Sequence, residues 1–273
     1  MNKIDTIIFG CSGSIGIELS NIINSKKTLF LSRKKPKNLK LINWKYLNLD
    51  KNLKNLPRNI IKIYFLSSPY YLKKNINEKM LKKELFWLKK ILKYFNFNKF
   101  IYFSSSSVYL KNHKVGIIKK KCENLLRISK IQNLQIWRPF NIIGNYENKL
   151  SDHFHNLLIK NFIIKKKRTS NFFGNDKDER GYSSAKKFAK LVVKYANNKN
   201  SFILNYGNKN TITVDKIALL FKKFMRDKYN RKININFKGI KKNINTINLM
   251  KGVKTLESRE NSTKILKYYF KNF

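Results

Sequence analysis

The feature that most constrains this chain is a glycine run placed directly after its first apolar stretch. Ile4 to Phe9 reads as a β-strand. Gly10-Cys11-Ser12-Gly13-Ser14-Ile15-Gly16 follows it, and Ile17, Leu19 and Ile22 then recur at helical spacing. In a strand, turn and helix of this kind Gly10 permits the tight turn, Gly13 lets backbone N–H groups approach a pyrophosphate, and Gly16 lets helix and strand pack closely. Ser12, Ser14 and Ile15 complete the turn at a helix N-terminus, where an anion is favoured. Three glycines alone also describe a purely structural turn. Their place in the first strand-turn-helix unit is what predicts a dinucleotide site.

The pattern beyond the turn supports the same fold class. Strand-like runs at Thr28 to Ser32, Trp44 to Leu47, Ile61 to Leu66, Phe100 to Ser104 and Leu134 to Trp137 alternate with helical stretches. The clearest helix is Glu78 to Tyr94, with Leu81, Leu85, Leu88 and Leu92 on one face and lysines on the other. A second, Ile117 to Ile128, turns Cys122, Leu125 and Leu126 inward and carries Lys119 and Glu123. After Gly144 the elements shorten: Phe154 to Ile159, Phe188 to Ala196, Phe202 to Leu204, Val214 to Met225 and Ile233 to Phe237. The expectation is an α/β fold, a Rossmann-type doubly wound parallel sheet over residues 1–145. A smaller C-terminal substrate-capping region over 146–273 follows, some of whose elements return to the Rossmann core. No linker rich in Gly, Ser or Pro separates the two, so they are expected to pack as one unit.

Composition sets further limits. The 273 residues carry a formal charge of +45, yet with 42% hydrophobic residues the chain is too apolar for a disordered polybasic tail. Of its 60 basic residues only 9 are Arg, and its 51 Lys accompany 37 Asn, the residue types that adenine- and thymine-rich codons favour together. The lysines are spread along the chain, so compositional drift explains the charge better than a specific nucleic-acid partner does. No apolar run is long enough to span a bilayer, and Met1 to Gly10 contains no secretory pattern; a cytoplasmic protein with no membrane partner is expected. Cys11 and Cys122 stand far apart, which indicates neither a disulfide framework nor a metal site. His153 and His155 flank Phe154 without a carboxylate to complete a ligand set, and read as surface histidines. The aromatic cluster Tyr268, Tyr269, Phe270 and Phe273 beside Ile265 and Leu266 reads as a docking terminal helix rather than a base-stacking surface.

Two positions bear on the dinucleotide. The second strand ends at Arg33-Lys34-Lys35, where an NAD binder usually places an acidic residue for the ribose 2′-hydroxyl. An Arg there can pair bidentately with a 2′-phosphate, so NADP is the expected cofactor and NAD the alternative. The third strand ends at Leu47-Asn48-Leu49-Asp50, whose Asn48 or Asp50 can bond the adenine edge.

The fifth strand ends Ser104-Ser105-Ser106-Ser107-Val108-Tyr109, and ten residues after Tyr109 stands Lys119 with Glu123 beyond it. Further on come Arg138-Pro139-Phe140-Asn141-Ile142-Ile143-Gly144, then Arg180-Gly181-Tyr182, then Asn205-Tyr206-Gly207. In this order the motifs resemble the extended short-chain dehydrogenase/reductase family, the NAD-dependent epimerase/dehydratase group. Its pattern is GxxGxxG, SSxxVYG, YxxxK with a following Glu, RPxNxxG, and a later Arg near an aromatic residue. Leu110 replaces the Gly of the second motif, and Lys186-Lys187 replaces the acidic pair expected after Arg180-Gly181-Tyr182. The resemblance implies that Ser105 binds the substrate oxygen, that Lys119 holds the ribose and lowers the pKa of the catalytic tyrosine, and that Asn141 and Arg180 contact a nucleotide-sugar substrate. It also implies a homodimer paired through the Glu78 and Ile117 helices.

The tyrosine is missing. Counting back four residues from Lys119 reaches Val115, and starting from Lys120 or Lys121 reaches Gly116 or Ile117. Tyr109 reads as a packing residue, while Tyr70 or Tyr71, after the fourth strand, can reach the same cleft. Two readings follow. One is an NAD(P)-dependent enzyme of the epimerase, dehydratase or reductase type, acting by hydride transfer on a nucleotide sugar or related carbonyl compound. The other is a non-catalytic nucleotide-binding scaffold or sensor, with Val115 as the mark of lost chemistry.

Overall fold

A computed structural model describes residues 3–36, 40–51, 53–69, 78–144, 153–239 and 254–272. In chain order the first elements are β1 (Thr6–Phe9), α1 (Ser14–Ile22), β2 (Thr28–Ser32), β3 (Trp44–Tyr46), β4 (Asn59–Phe65), α2 (Glu78–Tyr94) and β5 (Asn96–Phe103). A 3-10 turn (Ser106–Tyr109), α3 (Lys114–Ile128), β6 (Asn133–Pro139), β7 (Ile142–Ile143), α4 (Phe154–Leu158) and a π-helical stretch (Ile159–Ile164) come next. The remainder is β8 (Thr169–Phe173), β9 (Glu179–Gly181), β10 (Ser183–Ser184), α5 (Ala185–Tyr195), β11 (Phe202–Asn208), β12 (Thr211–Thr213), α6 (Val214–Tyr229), β13 (Asn234–Lys238), β14 (Thr255–Ser258) and α7 (Ser262–Lys271).

These elements form two units, residues 1–139 with 185–206, and residues 140–184 with 207–273. The first unit closes at Pro139 and takes back α5 and most of β11. The sequence gives the reason for that return. Ala185, Phe188, Ala189 and Val192 form an apolar stripe on α5, and the helix packs beside α1. Phe188 stacks on Tyr206 at 4.7 Å and meets Trp137 edge-on at 5.7 Å. Lys99 Nζ donates to the carbonyls of Ala196 (2.7 Å) and Asn198 (2.5 Å), so a cation closes the C-terminal end of α5.

Seven strands of the eight-stranded main sheet belong to the first unit, in the order β11-β6-β5-β4-β1-β2-β3, and they pair parallel throughout. Every residue of β2 is buried, as expected of a strand covered on both faces. The order reverses at β1, between β2 and β4, which opens the crevice of a doubly wound sheet at the carboxyl ends of its strands. Helix α2 buries Met80, Glu84, Trp87, Leu88 and Ile91, while Leu85 and Leu92 are only half-buried. The inward face is therefore turned from the leucine ladder the sequence suggests, because Trp87 donates to Asp50 Oδ1 (2.9 Å) and Glu84 is drawn to Tyr102 (2.8 Å).

The second unit joins short strands in pairs, β7 with β10 and β8 with β13 parallel, β9 with β12 antiparallel. Its core gathers Leu158, Phe162, Phe172, Phe221 and Phe270. His155, expected on the surface, is buried there edge-on to Tyr182 (5.5 Å) and Tyr269 (5.3 Å), while His153 stays exposed. Helix α7 docks through Leu266, Tyr269 and Phe270 and leaves Tyr268 exposed.

Candidate functional site

The glycine turn occupies the carboxyl end of β1, at the reversal of strand order. Gly10 has a φ of 88°, and a Cβ on it would lie 2.8 Å from the Ser67 nitrogen, so both conformation and space require glycine. A Cβ on Gly16 would overlap the Gly10 carbonyl oxygen and approach the Cys11 Cα to 2.9 Å, so α1 rests directly on the turn. Gly13 differs. Its backbone is ordinary extended chain (φ −78°), and an added Cβ would meet only the Gly10 oxygen at 3.6 Å, leaving open space in front of the N-terminus of α1. Ser14, the first residue of that helix, holds a buried hydroxyl that has no partner among the described residues. An open glycine and an orphaned hydroxyl at a helix N-terminus fit a phosphate group.

Around the turn, the ends of neighbouring strands carry the other predicted contacts. Cys11 is buried beneath it, with its thiol 3.2 Å from Ser32 Oγ; burial pushes that thiol up to about 11 against the opposing hydrogen bond. Arg33 follows β2 and is exposed. Asn48, half-buried after β3, accepts from the Asp50 nitrogen (3.1 Å) through Oδ1, which leaves its amide group to donate. Asp50 is committed elsewhere. Partial burial works against its charge, but hydrogen bonds from Lys83 (2.6 Å) and Trp87 (2.9 Å) hold its carboxyl below the ordinary range, and Arg33 adds to that pull.

Ser105 caps the 3-10 turn after β5. Its Oγ accepts from Ser107 N (3.2 Å) and Ser107 Oγ (3.0 Å), so its own O–H is directed to neither. Two buried ion pairs flank this turn, and both reach into α3. Glu123 accepts from Ser104 Oγ (2.5 Å) and binds Arg138 through Nε (3.0 Å) and Nη2 (2.5 Å). Burial opposes the charge of Arg138, but Glu123 outweighs it and the guanidinium titrates above its usual range. Arg138 Nη1 in turn donates to Tyr109 Oη (2.8 Å), and Tyr109 donates to Asn205 Oδ1 (2.9 Å). The hydroxyl proton of Tyr109 is thus engaged by Asn205.

The other pair is Lys119 with Glu84. Lys119 Nζ lies 2.6 Å from Glu84 Oε1 and donates to the Phe103 carbonyl (2.9 Å) at the end of β5. Four residues before it, Val115 packs against the first unit's core. Gly116, the next residue, lies against the serine turn. A Cβ there would overlap the Ser107 carbonyl oxygen, so α3 crosses the serine turn at the residue that follows Val115. His113 caps the helix by accepting from Gly116 N at 3.2 Å. Tyr70 and Tyr71 lie outside the described residues. Asn141 and Arg180 belong to the second unit, Asn141 in the left-handed region (φ 43°) and Arg180 paired with Asp178 at 3.3 Å. Among the described residues no group of acidic, histidine or cysteine side chains forms a metal cluster, and no helix is long and apolar enough to cross a membrane.

Sequence reasoning missed Glu84. Its only signal is an acid standing four residues before Leu88 on the buried stripe of a lysine-rich helix.

No protein-family model and no curated protein sequence matches the chain. Solved structures do. UDP-N-acetylglucosamine 4-epimerase from Methanobrevibacter ruminantium, in complex with UDP-N-acetylmuramic acid, superposes with a TM-score of 0.76 at 16% identity, covering 100% of this chain and 99% of that one. UDP-glucuronic acid 4-epimerase from Bacillus cereus, with UDP-glucuronic acid and NAD, gives 0.72 at 16% identity over 98% and 99%. UDP-glucose 4-epimerase from Thermotoga maritima, with UDP-glucose, gives 0.71 at 17% over 98% and 99%. At such identities the likeness is one of fold: this chain has the Rossmann-type α/β architecture of those epimerase structures.

Proposed function

We propose that this chain binds a nicotinamide dinucleotide at the Gly10–Gly16 turn and acts on a nucleotide sugar, as an NAD(P)-dependent epimerase, dehydratase or reductase. The observation that carries the reading is the open space at Gly13, beside the orphaned Ser14 hydroxyl, at the strand-order reversal of a fold shared with UDP-sugar 4-epimerases. The dinucleotide, when bound, supplies the acceptance or return of a hydride. The chain's own groups do the rest. The backbone N–H groups of Ser12, Ser14 and Ile15 hold the pyrophosphate over Gly13, whose own N–H closes the turn on the Gly10 carbonyl (3.2 Å); Asn48 donates to the adenine edge, and Lys119 binds the ribose. Ser105 turns its O–H to the substrate oxygen, and Asn141 and Arg180 contact the sugar nucleotide. Arg33, in place of an acid after β2, supports a 2′-phosphate and hence NADP, although the Bacillus cereus relative holds NAD.

Val115 supports a second reading, a dinucleotide-binding scaffold or sensor without turnover, since valine can neither give nor take a proton. The two are separated by assaying the wild type and Val115→Tyr with NADP and NAD against a panel of UDP-sugars, following dinucleotide absorbance and inversion at the sugar carbon. Positioned acid–base catalysis is worth roughly a hundredfold to ten-thousandfold, so Val115→Tyr should raise a slow wild-type rate by a measurable part of that. Ser105→Ala and Lys119→Ala should abolish the gain. A fast wild type that Val115→Tyr leaves unchanged and Tyr70→Phe or Tyr71→Phe disables would assign the chemistry to a relocated phenol and remove the scaffold reading. A variant as inert as the wild type, both binding dinucleotide, would leave the scaffold reading standing instead.

A further inference from the structure

We propose that Glu84 is the positioning residue of Lys119, the counter-charge that keeps its ammonium protonated and fixed at the end of β5; this rests on the reading of Lys119 as the ribose-binding lysine. Three observations lead there. Both partners are withdrawn from solvent, the Lys119 side chain 4% exposed and that of Glu84 0%. Glu84 reaches α3 from a separate helix, and its Oε1 takes both the Lys119 ammonium (2.6 Å) and the Tyr102 hydroxyl (2.8 Å). Its other oxygen, Oε2, is buried with no partner among the described residues. A carboxylate so poorly solvated is tolerated where it compensates a cation.

Three described groups close to this pair carry no free charge to match that of Glu84. Tyr102, whose ring centroid lies 4.9 Å from Lys119 Nζ, is fully buried and stays neutral, since burial and then Glu84 push its phenol far up. The Cys122 thiol, raised to about 12 chiefly by burial, is neutral as well. Glu123 is the remaining acid on α3, and Arg138 and Ser104 occupy it. Glu84 thus supplies a buried counter-charge to the amine at the end of β5. Without it, desolvation favours the neutral amine, which offers a ribose hydroxyl a weaker hydrogen bond than an ammonium does.

The test is dinucleotide affinity against pH for the full-length wild type, Glu84→Gln, Lys119→Met and the double variant. Gln keeps an oxygen for Tyr102 and removes only the charge. Wild-type affinity should be flat from about pH 6 to 9, since Glu84 stays paired with the ammonium across that window. In Glu84→Gln it should fall by about tenfold across that window as the uncompensated amine loses its proton. Lys119→Met should bind weakly with no slope, and adding Glu84→Gln to it should change nothing further. That last comparison still decides the matter if Glu84→Gln alone does not fold. A flat Glu84→Gln profile at wild-type affinity, or a double variant weaker than Lys119→Met, would overturn the assignment. A wild type that binds no dinucleotide at any pH would take down the functional reading itself, a failure distinct from a wild type that binds while Glu84 proves idle.

Discussion

The three glycines of the first turn make a prediction that separates a binding role from a structural one. At Gly16 an alanine must open the contact between α1 and the turn, because its Cβ overlaps the Gly10 oxygen and crowds the Cys11 backbone to 2.9 Å. The obstacle is main chain, which cannot rotate aside, so overpacking of about 1 to 3 kcal/mol should exceed the roughly 1 kcal/mol that alanine gains over glycine in a helix. At Gly13 the extended backbone accepts any L-residue and the nearest atom is 3.6 Å from the added Cβ. The residue caps α1, and the cap preference for glycine opposes the smaller entropy of a branched unfolded chain, so Gly13→Val should shift stability by no more than about 1 kcal/mol. Its side chain would fill the space a pyrophosphate needs. Urea unfolding should therefore rank Gly16→Ala as the less stable protein, while fluorescence titration with NADPH should show Gly13→Val folded and unable to bind. A Gly13→Val protein with wild-type affinity, or a Gly16→Ala protein as stable as the parent, would refute the division of roles.

Three further outcomes follow from other parts of the first unit. NADPH should bind more tightly than NADH, by roughly tenfold to a hundredfold if Arg33 makes one charge-assisted contact, and Arg33→Ala should remove most of the difference in calorimetry. Breaking the buried Glu123–Arg138 pair with Glu123→Leu should cost about 3 to 5 kcal/mol in urea unfolding, and adding Arg138→Met should restore much of it; equal losses in both variants would contradict the pairing. Cys11 and Cys122, buried with thiols raised to about 11 and about 12, should resist alkylation at pH 8 until the protein unfolds. Because native thiols then hold protons that unfolded ones release above about pH 8.5, their contribution to stability should shrink as pH rises past that value.

Much of the first unit was legible because its signals are local. Continuous apolar runs such as Thr28 to Ser32 are what a doubly covered strand requires, and glycine placement marked the first turn before any coordinate did. The return of α5 to the first unit was legible only in part, since the stripe Ala185, Phe188, Ala189, Val192 shows a buried face without saying which element buries it. His155 misled for a similar reason: two rings edge-on to it, Tyr182 and Tyr269, come from distant parts of the sequence. The fate of Lys119 was hidden most completely. Its spacing from Val115 and Glu123 could be counted, but its partner Glu84 stands thirty-five residues away on another helix, disguised among surface lysines.

The most direct test of the account is a crystal structure of the wild type grown with NADPH, read for where the pyrophosphate lies. It should lie against the backbone N–H groups of Ser12, Ser14 and Ile15, with the Ser14 hydroxyl engaged and Lys119 Nζ on the nicotinamide ribose while still paired with Glu84. A dinucleotide seated at the opposite, amino end of the sheet would contradict it, as would crystals of the folded protein that take up no dinucleotide at all.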